Sequence, residues 1–199
     1  IIEAVAITED GGIIPTTSVG NSASFAIFAE KVIVEINTNL SPAFEGLHDI
    51  YIPTYRPTRQ PIPLTQVDER IGTHAINIDP AKIVGIVINN DLHDSPSTVT
   101  APDDETQGIA DHLIAFFEKE VAEERLPKNL GPLQAGIGSI ANAVLTGLKD
   151  SNFEDLVMYS EVLQDCTFEL IDAGKMKFAS GSSITLSAKY GEKVFNNLE

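Results

Sequence analysis

Cysteine is close to absent from this chain: Cys166 is the only one among the 199 residues, so a disulfide framework is excluded. Such a composition fits a reducing compartment, and we expect a cytoplasmic protein, or a mitochondrial one in a eukaryote. Basic residues are also few, since 13 lysines and arginines stand against 29 acidic residues and the formal net charge is -16. Nucleic-acid binding needs a basic face that displaces counterions, so we expect no nucleic-acid partner.

Long apolar runs are missing as well. The longest, such as Ile83–Ile88, are far shorter than the roughly 20 apolar residues of a membrane-spanning helix, and we expect no membrane partner. No basic-then-apolar signal peptide opens the chain. Hydrophobic residues nevertheless make up 43% of the sequence, which is enough for a sizeable packed core. Because the chain starts at Ile1 in a strand-like pattern and stops at Glu199 without a closing element, we expect both ends to be cut.

Apolar residues recur with two alternating periods, one typical of strands and one typical of helices. The predicted strands are Glu3–Thr8, Lys31–Asn37, Lys82–Asn89, Leu133–Ala135, Leu156–Tyr159 and Phe178–Leu186. The predicted helices are Ala23–Glu30, Asp103–Arg125, Ser139–Lys149 and Val162–Ala173. This alternation indicates an α/β fold with a mainly parallel sheet flanked by helices. The run Ile83–Ile88 is expected to be buried on both faces, as the strands of parallel sheets usually are.

Two segments interrupt the regular pattern. Tyr51–Leu64 contains four prolines, which exclude a regular helix or a central strand, and we expect an extended crossing segment. Asn89–Pro102 is polar, contains two prolines and is the predicted domain boundary. Residues 1–95 are therefore assigned to one domain and residues 96–199 to a second.

The most informative stretch is Gly136-Ile137-Gly138-Ser139-Ile140-Ala141, a glycine turn that opens a helix, followed by a short apolar strand and Glu161. The glycine spacing matches a dinucleotide-binding fingerprint, and Glu161 lies about where a ribose-binding acid would. However, the strand before the turn is short for such a fold. A ribose-binding and a catalytic carboxylate both belong at the C-terminal end of a strand, so position alone leaves both open. A structural role for Glu161, as a helix cap or a lysine partner, also stays open.

Four stretches together resemble the acetyl-CoA hydrolase/transferase family, the coenzyme A transferase group that includes succinyl-CoA:acetate CoA-transferases. They are Gly12–Ser22, Gly136–Val144, Tyr159–Asp165 and Leu170–Lys175. The resemblance spans nearly the whole chain, whereas the chain of the family is considerably longer at both ends. It implies that residues 1–95 are the C-terminal part of the first CoA-transferase domain. Residues 96–199 would be the N-terminal part of the second domain, which contains the catalytic glutamate.

The resemblance also implies site residues. Glu161 matches the nucleophilic glutamate, and Ile137 matches the residue whose backbone amide helps to form the oxyanion hole. The segment that lies against coenzyme A is matched by Gly136, Ile137, Gly138, Ser139 and Ile140. Ser160 is a departure, since relatives often have threonine there. The family's second oxyanion donor and its later coenzyme A contacts would lie beyond Glu199.

The function that the resemblance implies is a CoA transferase that moves coenzyme A between an acyl-CoA and a short-chain carboxylate, such as succinyl-CoA and acetate. Its intermediates would be an acyl-glutamyl anhydride and a glutamyl-CoA thioester. Acyl-CoA and a small carboxylate are then the substrates, no cofactor is permanently bound, and a homodimer is expected. No metal is expected, because the four histidines are scattered without ligand spacing. The alternatives are an acetyl-CoA hydrolase and a non-catalytic dinucleotide-binding module.

Overall fold

The computed structural model of the protein describes residues 1–90 and 101–198. These residues form two compact units, one of residues 1–65, 69–90 and 191–198 and the other of residues 66–68 and 101–190. Most of the predicted boundary segment lies outside the described residues. The assignment of residues 1–95 and 96–199 to parts of two CoA-transferase domains stays a prediction.

The first unit is built on a four-stranded sheet with the strand order β2-β1-β3-β4. The strands are β1 (Ile2–Ile7), β2 (Ile13–Pro15), β3 (Val32–Asn37) and β4 (Ile83–Asn89). Only β2 runs antiparallel, joined to β1 by a turn in which the Thr8 amide donates to the Gly12 carbonyl over 2.8 Å. Gly11, inside this turn, has a φ of +87°, a conformation that glycine adopts without a steric penalty.

One helix, α1 (Ser22–Phe28), packs on this sheet. Its small residues Ala23 and Ala26 lie in the same core as the branched residues Val32 and Val34 of β3. Two short 3-10 turns, Pro42–Phe44 and Pro80–Lys82, complete the unit. The proline-rich segment after residue 50 forms neither helix nor strand, as predicted.

The expectation that the run Ile83–Ile88 is buried on both faces is wrong. Among the described residues, β4 pairs with β3 alone and is an edge strand of the sheet. Its side chains Val84, Ile86 and Val87 are exposed, and Ile88 is 75% exposed. The physical reason is that α1 packs its alanines over the β1–β3 part of the sheet, so only Ile83 of β4 contacts that core.

The second unit is built on a three-stranded, wholly parallel sheet with the order β5-β6-β7. The strands are β5 (Pro132–Leu133), β6 (Leu156–Leu163) and β7 (Met176–Ile184). The helices are α2 (Asp104–Ala122), α3 (Ser139–Asp150) and α4 (Asp165–Asp172). A fifth helix, α5 (Ala188–Phe195), begins at the end of this unit, and its residues from Gly191 onward are assigned to the first unit. The predicted α/β class, with mainly parallel sheets flanked by helices, is confirmed.

The core of the second unit surrounds β6. Leu156 and Met158 are fully buried there, and they lie in one cluster with Leu148 of α3 and Leu170 of α4. Helix α2 begins with a reciprocal cap, in which the Asp103 carboxylate and the Thr106 hydroxyl each accept a hydrogen bond from the other residue's backbone N–H. In the part of the chain that the structure describes, no helix combines the length and apolar character of a membrane span.

Candidate active site

The glycine turn lies between β5 and α3. Strand β5 ends at Leu133, which pairs with Met158 of β6, and α3 begins at Ser139. Gly138 has a φ of +141°, which side chains with a Cβ rarely adopt, so the turn depends on glycine at this position. The Gly138 carbonyl accepts the first α3 bond, from the Asn142 amide over 3.0 Å.

The first turn of α3 has no side-chain cap. Residue 138 is a glycine, and the helix has no acidic residue in its first turn. The first amides of a helix have no partner within the helix and point outward with the positive end of the helix dipole. The turn and the helix start therefore offer backbone N–H donors to a negatively charged oxygen.

Glu161 lies near the C-terminal end of β6, the central strand of the sheet. The parallel register Leu133↔Met158 places Ala135 next to Ser160, and hydrogen bonds between these two residues maintain the same offset. Gly136 follows Ala135 as Glu161 follows Ser160. The register therefore places Glu161 and the first glycine of the turn at neighbouring positions on adjacent chain segments.

A cap role for Glu161 on the following helix is wrong. Strand β6 continues to Leu163, because its ladder with β7 extends to the pair Leu163↔Ile184, and α4 starts only at Asp165 rather than at the predicted Val162. Glu161 is therefore a strand residue and does not cap α4. Its side chain is exposed, and none of the ion pairs formed within residues 1–90 and 101–198 includes it.

Exposed apolar side chains lie on β6 and on the glycine turn. Tyr159 lies on the same face of β6, two residues earlier, and it is half exposed. Ile137 in the turn is 73% exposed, and Ile140 on the first turn of α3 is also exposed. Gly136 and Gly138 are exposed too, so the backbone of the turn is open to a ligand. This surface combines a carboxylate without an ion pair among the described residues, outward backbone amides and exposed apolar side chains.

The residues after β6 are structural. Asp165 is buried, and its carboxylate accepts from the Ser187 amide over 2.9 Å and from the Ser187 hydroxyl over 2.5 Å. It is therefore a buried partner of the segment before α5 and not a solvated acid. Cys166 is a buried thiol next to Asn142, and burial raises the pKa of its thiol to about 11. At neutral pH this thiol is protonated and is a poor nucleophile.

No cluster of three or more histidine, cysteine, aspartate or glutamate side chains suited to a metal occurs in residues 1–90 and 101–198. His93 lies outside those residues. In the first unit, the His48 ring lies 3.0 Å from the Thr16 carbonyl through Nε2, and burial lowers the pKa of the ring. His48 is therefore a neutral side chain that hydrogen-bonds to the loop after β2.

The first unit also has an open depression of about 390 Å³. It is lined by Arg56, Pro57, Arg59, Gln60, Pro61 and Ile62. None of these side chains is a carboxylate, imidazole or thiol, so the depression offers neither a nucleophile nor a general base.

Sequence reasoning missed the role of Ser160, which it treated as a conservative departure from the family pattern. In the structure, its hydroxyl contacts both backbone groups of Ala135. A hydroxyl residue directly before the candidate nucleophile was the available signal, but only the register of β5 and β6 shows its partner. The Ser182 hydroxyl of β7 donates to the Glu161 carbonyl over 2.9 Å, a contact that adds to the pairing of β6 with β7.

Comparison with solved structures shows the fold of this chain. RipA from Yersinia pestis superposes with a TM-score of 0.62 at 18% identity, covering 98% of this chain and 38% of that one. A 4-hydroxybutyrate CoA-transferase from Porphyromonas gingivalis gives a TM-score of 0.60 at 19% identity, covering 98% of this chain and 41% of that one. At such identities the likeness concerns the fold, which is an α/β fold of the CoA-transferase type.

Sequence comparison then gives the family. Residues 1–88 match the model of the acetyl-CoA hydrolase/transferase N-terminal domain. An acetyl-CoA hydrolase from Schizosaccharomyces pombe is 49% identical over 199 residues, which are 100% of this chain and 38% of that protein. A succinyl-CoA:acetate CoA-transferase from Clostridium kluyveri is 49% identical over 187 residues, 94% of this chain and 35% of that protein. The resemblance to the acetyl-CoA hydrolase/transferase family is therefore confirmed, and the chain spans a little over a third of these relatives.

Proposed function

We propose that the full-length protein is a CoA transferase that moves coenzyme A between an acyl-CoA and a short-chain carboxylate, with Glu161 as the nucleophile. The observation that supports this most directly is the position of Glu161, exposed on the central strand beside the start of the glycine turn. The name of the Clostridium relative supports the transferase activity and suggests succinyl-CoA and acetate as substrates.

The proposed reaction starts with attack of the Glu161 carboxylate on the thioester carbonyl carbon of the acyl-CoA. The carbon–sulfur bond breaks, and an acyl-glutamyl anhydride and the CoA thiolate form. The thiolate then attacks the glutamyl carbonyl of the anhydride, releases the first carboxylate and leaves a glutamyl-CoA thioester. A second carboxylate attacks this thioester, and the thiolate takes the new acyl group from the resulting anhydride, which restores Glu161.

Each of these steps passes through a tetrahedral intermediate with a negatively charged oxygen. The Ile137 amide and the first amides of α3 are the proposed donors to that oxygen, and the positive end of the α3 dipole stabilises the same charge. One such donor contributes about 10²–10³-fold to the rate in comparable enzymes. The exposed segment Gly136–Ile140 would lie against coenzyme A, because its two glycines let the backbone approach the ligand closely.

A hydrolase is the second candidate, favoured by the names of the fungal relatives. In that reaction water, instead of a carboxylate, would resolve the anhydride or the thioester on Glu161. The dinucleotide-binding module is less well supported, because β5 has two residues and such folds usually have a longer strand before the turn. The homodimer, the cytoplasmic or mitochondrial location, and coenzyme A as a substrate rather than a bound cofactor belong to the same proposal.

Trapping the covalent intermediate tests this function. We expect full-length enzyme incubated with acyl-CoA and no acceptor to form a glutamyl-CoA thioester on Glu161, detected by borohydride reduction and mass spectrometry of the peptide containing Tyr159–Leu163. An unmodified peptide would contradict the mechanism. Glu161→Ala should lower transfer by about 10⁴-fold or more and leave coenzyme A binding mostly intact. Glu154→Ala, which removes another exposed carboxylate of the same unit, should leave transfer unchanged.

Oxygen labelling separates the transferase from the hydrolase. In the transferase, an acceptor carboxylate labelled with oxygen-18 leaves one oxygen on Glu161. Because the two oxygens of the Glu161 carboxylate are equivalent, later turnovers pass that oxygen on to the released carboxylate. In the hydrolase, the released carboxylate takes its new oxygen from water. Label that comes from water even when the acceptor saturates the enzyme would favour the hydrolase.

A further inference from the structure

The segment that leads into the glycine turn has little backbone pairing. Strand β5 consists of Pro132 and Leu133, and proline has no N–H to donate to a ladder. Regular pairing with β6 ends at the Leu133↔Met158 pair, two residues before Ala135. The position of the turn relative to Glu161 therefore depends on contacts other than strand pairing.

The Ser160 hydroxyl supplies such a contact. Its Oγ accepts from the Ala135 amide over 3.4 Å and donates to the Ala135 carbonyl over 3.0 Å. A hydroxyl is both a donor and an acceptor, so one side chain can replace both bonds that a paired strand would have made. Ser160 directly precedes Glu161, and Ala135 directly precedes Gly136.

We propose that Ser160 is a positioning residue of the reaction, whose hydroxyl holds the glycine turn in register with the strand that presents Glu161. This inference rests on the proposed function, because it assigns to Ser160 an effect on the distance between the nucleophile and the oxyanion donors. Ser160 itself contacts backbone and not substrate. Its role is to keep the Ile137 amide where the oxygen of the tetrahedral intermediate forms.

On the other side of β6, regular strand pairing holds the neighbouring segment. Strand β7 pairs with β6 along most of its length, including Ser160↔Gly181 and Val162↔Ser183. On that side, the Ser182 hydroxyl also donates to the Glu161 carbonyl. Ser182 is therefore a matched control: its hydroxyl also contacts β6, but no hydrogen bond within the described residues joins it to the glycine turn.

The test compares four variants of the full-length enzyme. We expect Ser160→Ala to lower kcat and the single-turnover rate of thioester formation on Glu161 by about tenfold to hundredfold, with a much smaller change in KM for acyl-CoA. Ser160→Thr keeps the hydroxyl and should retain most of the rate. Ser160→Val has the shape of threonine without the hydroxyl and should be as slow as the alanine variant. Ser182→Ala should remain close to wild type.

Two results would overturn the proposal. One is a wild-type single-turnover rate in Ser160→Ala and Ser160→Val. The other is an equal rate loss in Ser182→Ala, or in Ser160→Thr and Ser160→Val alike, since these would show a general effect on β6. Should Ser160→Ala fail to fold, the threonine–valine pair still isolates the hydroxyl. If wild type forms no thioester on Glu161, the proposed function fails and this inference with it. If wild type forms the thioester but all variants match it, only this inference fails.

Discussion

Strands β4 and β6 have similarly apolar sequences and opposite surroundings. Strand β6 lies between two parallel neighbours, and Leu156 and Met158 are fully buried among residues of α3 and α4. Strand β4 has one neighbour among the described residues and exposes most of its branched side chains. An apolar run thus predicts a strand, but the number of neighbours decides how much of it is buried.

The comparison also explains where the candidate site lies. A central strand held by neighbours on both sides can present Glu161 in a defined direction, because its backbone is fixed by the ladder with β7 and by Ser160. Rigid elements hold reacting groups more accurately than free edges do. Strand β4 ends in Asn89, whose side chain donates to Glu35 of the neighbouring strand. Glu35 is thus a hydrogen-bonded carboxylate, whereas Glu161 is free of ion pairs within the described residues.

The largest effect on stability should come from the buried first residue of β6. Leu156→Ala removes a fully buried side chain and leaves a cavity, so we expect the free energy of unfolding to fall by about 2–5 kcal/mol. Urea denaturation, followed through the unfolding transition of the second unit, would measure this loss. A change below about 1 kcal/mol would mean that the core around β6 is looser than its burial indicates.

A smaller effect should appear at high pH. Burial raises the pKa of the Cys166 thiol from 9.0 to about 11, so the folded state favours the protonated form. The stability that this shift contributes is fully present below the thiol pKa of the unfolded chain. It is lost as the pH rises through the thiol pKa of the folded protein, by about 1.4 kcal/mol per pH unit. We expect wild type to lose more stability than Cys166→Ala between pH 9 and 11. Denaturation curves of both proteins that stay parallel across this range would contradict the prediction.

The smallest effect should come from the β4 edge. Ile88 is 75% exposed, so Ile88→Thr keeps the β-branched shape and should change the free energy of unfolding of the 199-residue chain by no more than about 0.5 kcal/mol. The same denaturation experiment measures it beside Leu156→Ala. If Ile88→Thr lowered the free energy of unfolding by several kcal/mol, β4 and β6 would no longer differ in how much their side chains stabilise the fold.

Local patterns in the sequence predicted much of the fold. The helical period and the acidic start predicted α2, the four prolines predicted the irregular segment after residue 50, and strand–helix alternation predicted the α/β class. The same patterns predicted the glycine turn and α3, because glycines followed by an amphipathic run indicate a turn and then a helix from neighbouring residues alone. These features depend on residues close together in the chain.

The start of α4 shows where local reasoning failed. Val162 fits a helical pattern with the residues that follow it, yet it lies in β6 because β7 offers it a backbone partner at Ser183. The exposure of β4 and the contact of Ser160 with Ala135 escaped prediction for the same reason. Each depends on a partner at least 20 residues away in sequence.

Most strands and helices, apart from β2 and α5, could be predicted in order from neighbouring residues alone, as could the need for glycine at the turn and the resemblance to the acetyl-CoA hydrolase/transferase family. Contacts between distant segments were needed to show that Ser160 contacts Ala135 and that Glu161 lies on β6 near the start of the glycine turn, with no ion pair among the described residues. The same kind of contact makes β4 an edge strand and β6 a central strand of their sheets. The physical reason is that backbone conformation follows from neighbouring residues, whereas burial and proximity follow from segments that meet only when the chain is folded.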